Sequence, residues 1–181
     1  ESVRKDLKKY GVKKPIYVIS NVINEAELKI VSSKKIEMLK KRLKLKRKVI
    51  LYVGRLSHEK SLDMLLKSFS KVSREIEDVS LLLIGDGQIE SELKSLVKTL
   101  GIQDRVIFTG LIDQEALLSQ GYFQMADVFV TASGSETQGI SLIEAMYFGL
   151  PLVGVAKKGV FDMVNRVGLL SPPNNINSLA E

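Results

Sequence analysis

The sequence is poor in the residues that most often carry covalent, metal and redox chemistry. It has no cysteine, no tryptophan, a single histidine and four prolines among 181 residues. The lack of cysteine excludes disulfides, thiolate metal ligands and a cysteine nucleophile, and it fits a reducing, cytoplasmic compartment. The one histidine, His58, is expected in an exposed loop rather than as a general base. No run of 18 apolar residues occurs, so no stretch resembles a membrane-spanning helix.

Positive charge is in excess but unevenly placed. Residues 1–60 contain 18 Lys and Arg against 6 Asp and Glu, whereas residues 61–181 contain 9 against 15. Much of the excess lies on a predicted amphipathic helix, residues 32–47, whose apolar stripe lacks Trp and Phe. Such a helix can contact an anionic membrane surface without deep insertion, or it can simply be solvated. Nucleic acid is not the expected partner, because no aromatic residues interleave with the basic ones.

Apolar runs of β-forming residues alternate with segments of helical periodicity. This order predicts an α/β fold, a Rossmann-like, doubly wound parallel sheet of about six strands with helices on both faces. Strands are predicted at residues 49–53, 79–84, 105–109, 127–131, 152–155 and 167–170. Helices are predicted within residues 1–15 and at 32–47, 61–76, 89–100, 114–125 and 139–149, and another starts at 176. A further β-run is predicted at residues 16–19.

The stretch at residues 133–151 is predicted to hold a strand end, a loop, a helix and the start of the next strand. Gly139 marks the helix N-terminus, where unpaired N–H groups and the positive end of the helix dipole can hold a phosphate. Two carboxylates flank this point, Glu136 in the loop and Glu144 inside the helix. A carboxylate repels phosphate but can bind sugar hydroxyls. The stretch therefore suits a ligand with an anionic part and a hydroxyl-rich part.

A second stretch suited to phosphate follows the predicted strand at residues 49–53. Gly54 lets the backbone approach a ligand closely, Arg55 offers a planar fork of donors, and Lys60 offers a compact charge. Both stretches follow the ends of predicted parallel strands, so they are expected to meet at one edge of the sheet. The Gly-Asp-Gly turn at residues 85–87 lacks the third glycine of a dinucleotide fingerprint, so NAD is not expected.

Together the two stretches resemble the signature of retaining glycosyltransferases of the GT-B fold, the large family 4 group. The resemblance rests on Glu136 and Glu144 with seven residues between them, followed by Ala-Met-x-x-Gly-x-Pro. It rests equally on Gly-Arg-Leu-x-x-Glu-Lys at residues 54–60. The string Ser-Glu-Thr-Gln-Gly at residues 135–139 is similar to that of bacterial diacylglycerol glucosyltransferases. Within the second motif, Ser61 stands where the family often has Gly. Residues 157–162 resemble the family's Gly-x-x-Glu turn, with Asp162 in place of Glu.

The resemblance implies a role for each matching residue. In the family the first Glu contacts the donor sugar, the loop cations hold the diphosphate, and the second Glu holds the ribose hydroxyls. Carried over, the catalytic residues are Glu136, Arg55 and Lys60. The donor-binding residues are Gly54, Gly85, Leu111, Ile112, Gly139, Ile140, Ser141, Leu142 and Glu144, with the residues at 111 and 112 at the base. Gly87 is expected to approach the ligand with Gly85. No metal and no cofactor are expected, since no Asp-x-Asp string occurs.

The resemblance also implies a domain organisation. Residues 31–175 would form the nucleotide-sugar-binding domain, and residues 1–30 the junction to an N-terminal acceptor domain. Residues 176–181 would begin a helix that stops short. Because the first residue is not Met, we expect a piece of a longer chain. The junction matches the family only loosely, with Ser20 in place of Pro and Val22 in place of Gly.

The activity that the resemblance implies is transfer of glucose from UDP-glucose to an acceptor hydroxyl, with retention at the anomeric carbon. The expected acceptor is a lipid such as diacylglycerol at the inner face of the membrane, although other sugar transferases carry close variants of the motif. This chain alone is expected to bind the donor and turn over little. Two alternatives stay open: an epimerase or phosphorylase-like enzyme on the same fold, and a non-enzymatic basic binding module.

Overall fold

The computed structural model describes residues 2–19, 21–136 and 139–181. Within these ranges the strands are β1 Lys48–Val53, β2 Val79–Ile84, β3 Val106–Phe108, β4 Val128–Thr131, β5 Leu152–Val155 and β6 Gly168–Ser171. The helices are α1 Ser2–Lys9, α2 Ser33–Arg42, α3 Leu62–Glu75, α4 Glu90–Thr99, α5 Gln114–Ser119, α6 Ile140–Tyr147, α7 Lys158–Val164 and α8 Ile176–Ala180. The strands form one parallel sheet in the order β3-β2-β1-β4-β5-β6. The predicted doubly wound α/β fold is confirmed.

The interior strand β2 explains why helices cover both faces of the sheet. All six of its residues are buried. Leu81 and Leu83 join a core with α3, α4 and α8, whereas Leu82 and Ile84 join a second core with α2, α5, α6 and α7. A strand that is apolar on both faces requires a helical layer on each side, and right-handed crossovers supply those layers.

The reversal of strand order beside β1 creates the place for a ligand. The chain runs outward from β1 through β2 to β3, and then returns to pair β4 with the other side of β1. The amino ends of these two strands are joined by Asp127, just before β4. Its carboxylate accepts hydrogen bonds from the Lys48 ammonium and the Val49 N–H, both at 2.9 Å. At such a switch point the loops leave the sheet in opposite directions and open a crevice at its carboxyl edge.

Two predictions near the N-terminus are wrong. Residues 16–19 form no strand, and the side chains of Tyr17 and Ile19 are 83% and 82% exposed. A β-forming run becomes a strand only where another strand offers a partner, and neither edge of the sheet takes it. The helix predicted at residues 32–47 ends at Arg42, because Lys44 takes a left-handed φ of 54° that redirects the chain into β1.

Two predictions in the second half also need correction. The helix predicted at residues 114–125 ends at Ser119, and an irregular turn then carries Phe123 and Met125 into the core. The segment predicted as a turn at residues 157–162 forms helix α7 instead. Burial of Val160 and Val164 against the sheet favours the helix there.

Two serines precede helices without capping them through their side chains. Ser32 and Ser61 do occupy the N-cap positions of α2 and α3, but neither side chain forms a capping hydrogen bond. Ser61 has a left-handed conformation, φ 50° and ψ 42°, which costs an L-residue roughly 1–2 kcal/mol and glycine almost nothing. This conformation gives a physical reason for the glycine that the family pattern often has here.

The segment predicted as the interdomain junction begins with helix α1, which packs against α7. The Ser2 N–H donates to the carboxylate of Asp162 at 2.9 Å, and this bond holds the pKa of Asp162 below its usual range. Ser20, part of the predicted linker motif, lies outside the described residues. None of the helices within the described ranges combines the length and apolar content needed to span a bilayer.

Candidate functional site

The carboxyl ends of β1 and β4 open into one crevice of about 540 Å³. Its walls are the loop at residues 54–61 and the loop at residues 132–139. In the second loop, Thr137 and Gln138 lie outside the described residues. The crevice contains all three predicted catalytic residues and six of the nine predicted donor-binding residues. These are Arg55, Lys60 and Glu136, and Gly54, Gly139, Ile140, Ser141, Leu142 and Glu144.

The loop after β1 is held in shape by a buried tyrosine. The Tyr52 phenol donates to the backbone carbonyl of Arg55 at 3.0 Å. Burial raises the pKa of this phenol, and the negative charges of Glu136 and Glu59 raise it further. The phenol therefore keeps the proton that it donates, and the loop presents the exposed Arg55 guanidinium at the mouth of the crevice.

An ion pair crosses the crevice. The Lys60 ammonium contacts the carboxylate of Glu136, and the two side chains are only 18% and 21% exposed. The Glu136 backbone carbonyl also accepts the N–H of Gly159 at 3.1 Å, which ties the loop to helix α7. Lys60, which is predicted to bind phosphate, is thus in direct contact with Glu136, which is predicted to bind the sugar. An anion that approaches Lys60 therefore competes with Glu136 for the ammonium group.

The N-terminus of helix α6 opens into the same crevice. Gly139 is its N-cap, with φ −73° and ψ 105°, and it has no side chain to satisfy the first N–H groups. The Leu142 N–H donates to the Gly139 carbonyl at 3.0 Å, and the Leu142 side chain is buried in the core. The N–H groups of Ile140 and Ser141 precede any intrahelical acceptor. This helix end can therefore bind an anion through backbone groups and the helix dipole.

The second carboxylate, Glu144, lies one helical turn deeper and is only 3% exposed. Its Oε1 accepts a hydrogen bond of 2.5 Å from the side-chain amide of Gln114. Burial raises the pKa of Glu144, and the bond from Gln114 partly opposes this rise. A buried carboxylate with a neutral donor is a strong acceptor for further hydroxyl groups.

A smaller cavity of about 280 Å³ adjoins the crevice and shares several lining residues with it. The three remaining predicted donor-binding residues lie here, namely Gly85, Leu111 and Ile112. Leu111 is 75% exposed, and Ile112 is partly buried against the core. An exposed leucine beside a shallow cavity can pack on the flat face of a base.

Close backbone packing accounts for the glycines of the turn after β2. A Cβ on Gly85, whose φ is 132°, would lie 2.1 Å from the Gly54 carbonyl oxygen. A Cβ on Gly87, whose φ is 158°, would lie 2.1 Å from the Leu56 carbonyl oxygen. Gly85 lines the smaller cavity, whereas Gly87 lines neither cavity, so the expected approach of Gly87 to a ligand finds no geometric support.

Sequence reasoning missed two functional residues, Gln114 and Tyr52. Both line the crevice, yet each reads in the sequence as an ordinary helix start or core strand residue. The one available signal was the position of Gln114, directly after an Asp N-cap that follows a strand end. His58 is exposed as expected and does not line the crevice. Within the described ranges, no group of three or more His, Asp and Glu side chains is arranged to hold a metal ion.

Comparison with known proteins adds independent observations. The family described as "Glycosyl transferases group 1" matches residues 33–181. A curated relative, the alpha-monoglucosyldiacylglycerol synthase of Streptococcus pneumoniae, is 37% identical over 158 residues, which are 84% of this chain and 35% of the relative. This chain spans about a third of the length of the curated relatives that it matches.

Two solved structures superpose well. Sucrose-phosphate synthase from Thermosynechococcus elongatus matches with a TM-score of 0.82 and 28% identity, over 99% of this chain and 45% of that protein. HepE from Anabaena, in complex with UDP-glucose, matches with a TM-score of 0.71 and 25% identity, over 83% of this chain and 42% of that protein.

Proposed function

Since the chain belongs to the group 1 glycosyl transferases, a family of GT-B type, we propose that it forms the donor-binding half of such an enzyme. Its ligand is a nucleotide sugar, with UDP-glucose as the preferred donor. One observation carries this proposal: a single crevice brings together the cations Arg55 and Lys60, a helix N-terminus, and two carboxylates in different environments. These groups match the diphosphate, the sugar and the ribose of one extended ligand.

The diphosphate is the leaving group, so its growing negative charge must be stabilised. The bond from the anomeric carbon to the diphosphate oxygen breaks, and its electron pair leaves with the diphosphate. The acceptor oxygen bonds to that carbon on the same face, and its proton passes to the departing diphosphate. Arg55, Lys60 and the N–H groups of Ile140 and Ser141 supply positive potential at the leaving oxygen. This set provides the charge that a divalent ion would otherwise contribute.

Glu136 is proposed to bind hydroxyls of the transferred sugar and to place its positively charged centre. It shares the crevice with the cations and contacts Lys60 directly. A role as nucleophile is not proposed, and the two-carboxylate scheme of glycosidases is not carried over to this site. Glu144, deeper in the helix, is proposed to accept hydrogen bonds from the ribose hydroxyls.

A uracil base is proposed for the smaller cavity. Leu111 offers an exposed apolar surface there, and backbone groups of the same loop offer hydrogen-bond partners. The HepE structure contains UDP-glucose, and its likeness to this chain favours a uridine donor. The relation to a monoglucosyldiacylglycerol synthase likewise favours glucose chemistry and a lipid acceptor. The acceptor is proposed to bind in an N-terminal domain of the full-length protein.

The first experiment titrates this chain by calorimetry with UDP, UDP-glucose, UDP-N-acetylglucosamine, GDP-mannose and ADP-glucose, at two salt concentrations. We expect saturable binding of the uridine compounds, with UDP-glucose preferred among the sugars. Binding of a guanosine or adenosine donor instead would contradict the base assignment. No binding to any nucleotide sugar, together with salt-sensitive binding to nucleic acid, would favour the alternative of a basic binding module.

We also propose that helix α2 contacts an anionic membrane surface, and a second experiment tests this contact. Helix α2 carries exposed Lys34, Lys35 and Lys41, and each basic residue near an anionic surface contributes about 1 kcal/mol. Replacing all three by Gln is expected to weaken binding to vesicles that contain phosphatidylglycerol by about 100-fold. Replacing the exposed Lys71, Lys94 and Lys98 of the acidic half is the matched control. Equal binding to purely zwitterionic vesicles would contradict an electrostatic contact.

A further inference from the structure

We propose that Gln114 is a positioning residue that holds the Glu144 carboxylate in place for two neighbouring hydroxyls of the donor's ribose. The proposal rests on the proposed function, because it concerns the ribose contact assigned there to Glu144. The residue belongs to neither of the two motifs, and it comes from a different helix, α5, than Glu144 does. Its role would therefore be invisible to motif comparison.

The backbone fixes where the Gln114 side chain starts. Gln114 is the first residue of helix α5, and its N-cap Asp113 accepts the Ala116 N–H at 2.9 Å. From this anchored position the side chain crosses to α6, where its Nε2 donates to Oε1 of Glu144 at 2.5 Å. Two separate helices are thus joined by one side-chain hydrogen bond over the crevice.

The burial of Glu144 makes this bond consequential. Within the described part of the chain, Gln114 is the hydrogen-bonding partner found for a carboxylate that is only 3% exposed. Holding one carboxylate oxygen restricts rotation of the group, so its remaining lone pairs have a fixed direction. Two vicinal hydroxyls require two acceptors at fixed geometry, and a rotating carboxylate would lose most of that advantage.

Gln114 also stands at the boundary between the two cavities. It lines both the crevice and the smaller cavity on the base side. A nucleoside that reaches from one cavity to the other passes beside this amide. Because the amide is neutral, it orients the carboxylate without cancelling its charge, in contrast to the Lys60 contact of Glu136.

The titration of Glu144 supplies a readout specific to this role. Hydroxyl recognition needs the ionised carboxylate, so it is lost as pH falls through the pKa of Glu144. Burial raises that pKa and the bond from Gln114 lowers it. The other titratable or charged groups that line the crevice are Tyr52, Arg55, Glu59, Lys60 and Glu136. These five groups remain in a Gln114 variant, so a change of the pH midpoint reports the lost amide.

The test is calorimetry of the 181-residue chain with UDP and with 2′,3′-dideoxy-UDP across a pH series. The wild type is expected to prefer UDP by about tenfold or more, the effect of hydrogen bonds to a charged group. Gln114→Met keeps the length of the side chain but removes the amide. We expect its preference to fall to about threefold and the midpoint of its pH profile to move upward. Gln120→Met, an exposed position at the end of the same helix, is the matched control and should leave both readouts unchanged.

The outcomes separate this inference from the function on which it rests. If the wild type does not bind UDP, or does not distinguish it from the dideoxy analogue, the ribose assignment itself fails. If Glu144→Gln abolishes the preference while Gln114→Met keeps the wild-type preference and pH midpoint, the ribose assignment stands and the role of Gln114 is overturned. Equal weakening of both nucleotides by Gln114→Met, with an unmoved pH midpoint, would mean a merely structural role and would also overturn it.

Discussion

The loop after β4 and the helix that follows it place two glutamates in one crevice, in opposite environments. Glu136 is about a fifth exposed and contacts an ammonium group. Glu144 is buried and contacts a neutral amide, and burial raises its pKa. Partners and burial, rather than residue type, therefore decide what a carboxylate can do. Glu136 is half of an ion pair that a ligand can open, and Glu144 is a fixed acceptor.

The difference also decides which part of a ligand each wall can accept. A phosphate can replace Glu136 as the partner of Lys60, because one negative charge substitutes for another. An anion is not expected to bind beside Glu144, because the Glu144 carboxylate would repel it. Among the described residues no cation contacts that carboxylate, so an anion has no ion-pair partner to take over there. Hydroxyl groups, which donate without bringing charge, suit that position.

Removal of the buried carboxylate is expected to have the largest effect. Glu144→Ala is expected to weaken UDP and uridine alike, by about 10- to 100-fold, because both carry the ribose whose charged hydrogen bonds are lost. Calorimetry measures the affinities, and circular dichroism checks that the fold is intact. Glu115→Ala, an exposed carboxylate next to Gln114, is the matched control. Affinities equal to those of the wild type would refute the ribose role.

Removal of Arg55 is expected to have the next largest effect on affinity. Arg55 is exposed and forms no ion pair among the described residues, so a ligand phosphate need not displace a partner. Arg55→Ala is expected to weaken UDP by about tenfold and to leave uridine unchanged, because only UDP carries the diphosphate. Arg74→Ala, an exposed arginine on α3, serves as control in the same titration. An equal loss for both ligands would argue against a phosphate contact.

A mutation that opens the ion pair between Lys60 and Glu136 tests whether Glu136 binds the sugar. Glu136→Gln is expected to weaken UDP-glucose by about fivefold, since a charged acceptor for the sugar is lost. The same change frees Lys60, so UDP should bind as well as or slightly better than to the wild type. The ratio of the two affinities, measured in parallel titrations, is the quantity to follow. A parallel loss for both ligands would mean that Glu136 serves the loop and not the sugar.

The smallest effect concerns stability and its dependence on pH. The pKa of Glu144 is higher in the folded than in the unfolded state, so ionisation of this group disfavours folding as pH rises between the two values. Glu144→Gln should therefore raise the melting temperature at pH 7, by about 2–4 °C for each kcal/mol gained, and raise it less at pH 4. Thermal unfolding at the two pH values measures this, with Glu115→Gln as control. A lower melting temperature at pH 7 would show that the charge stabilises the fold.

Most of the architecture could be predicted from the sequence, because long apolar runs leave few options. The strand β2 was predicted with its observed ends, and the family resemblance from the two motifs is confirmed by the match to the group 1 glycosyl transferases. The motif residues meet in one crevice because parallel strands end at one edge. Their individual roles stay predictions, since geometry places groups but does not identify the ligand.

The errors and omissions share a physical cause. The run at residues 16–19 has β propensity, but its fate depends on a partner strand far away in the sequence. The αL turn at Lys44 depends on where β1 must start rather than on helical periodicity. The contact between Gln114 and Glu144 joins residues that are 30 positions apart, on different helices. Local patterns carry no information about such long-range contacts.

The backbones of the loops after β1, β2 and β3 pack closely at Gly54, Gly85 and Gly110. This packing limits which residues of the proposed base site can be changed. Gly85 donates its N–H to the Gly110 carbonyl at 2.9 Å and leaves no room for a Cβ beside the Gly54 carbonyl. The loops after three adjacent strands are thus packed directly against one another, and we expect a larger residue at position 85 to displace the loop that carries Arg55. If the base binds here as proposed, a change of base preference is expected from substitution of the exposed Leu111, with these glycines kept.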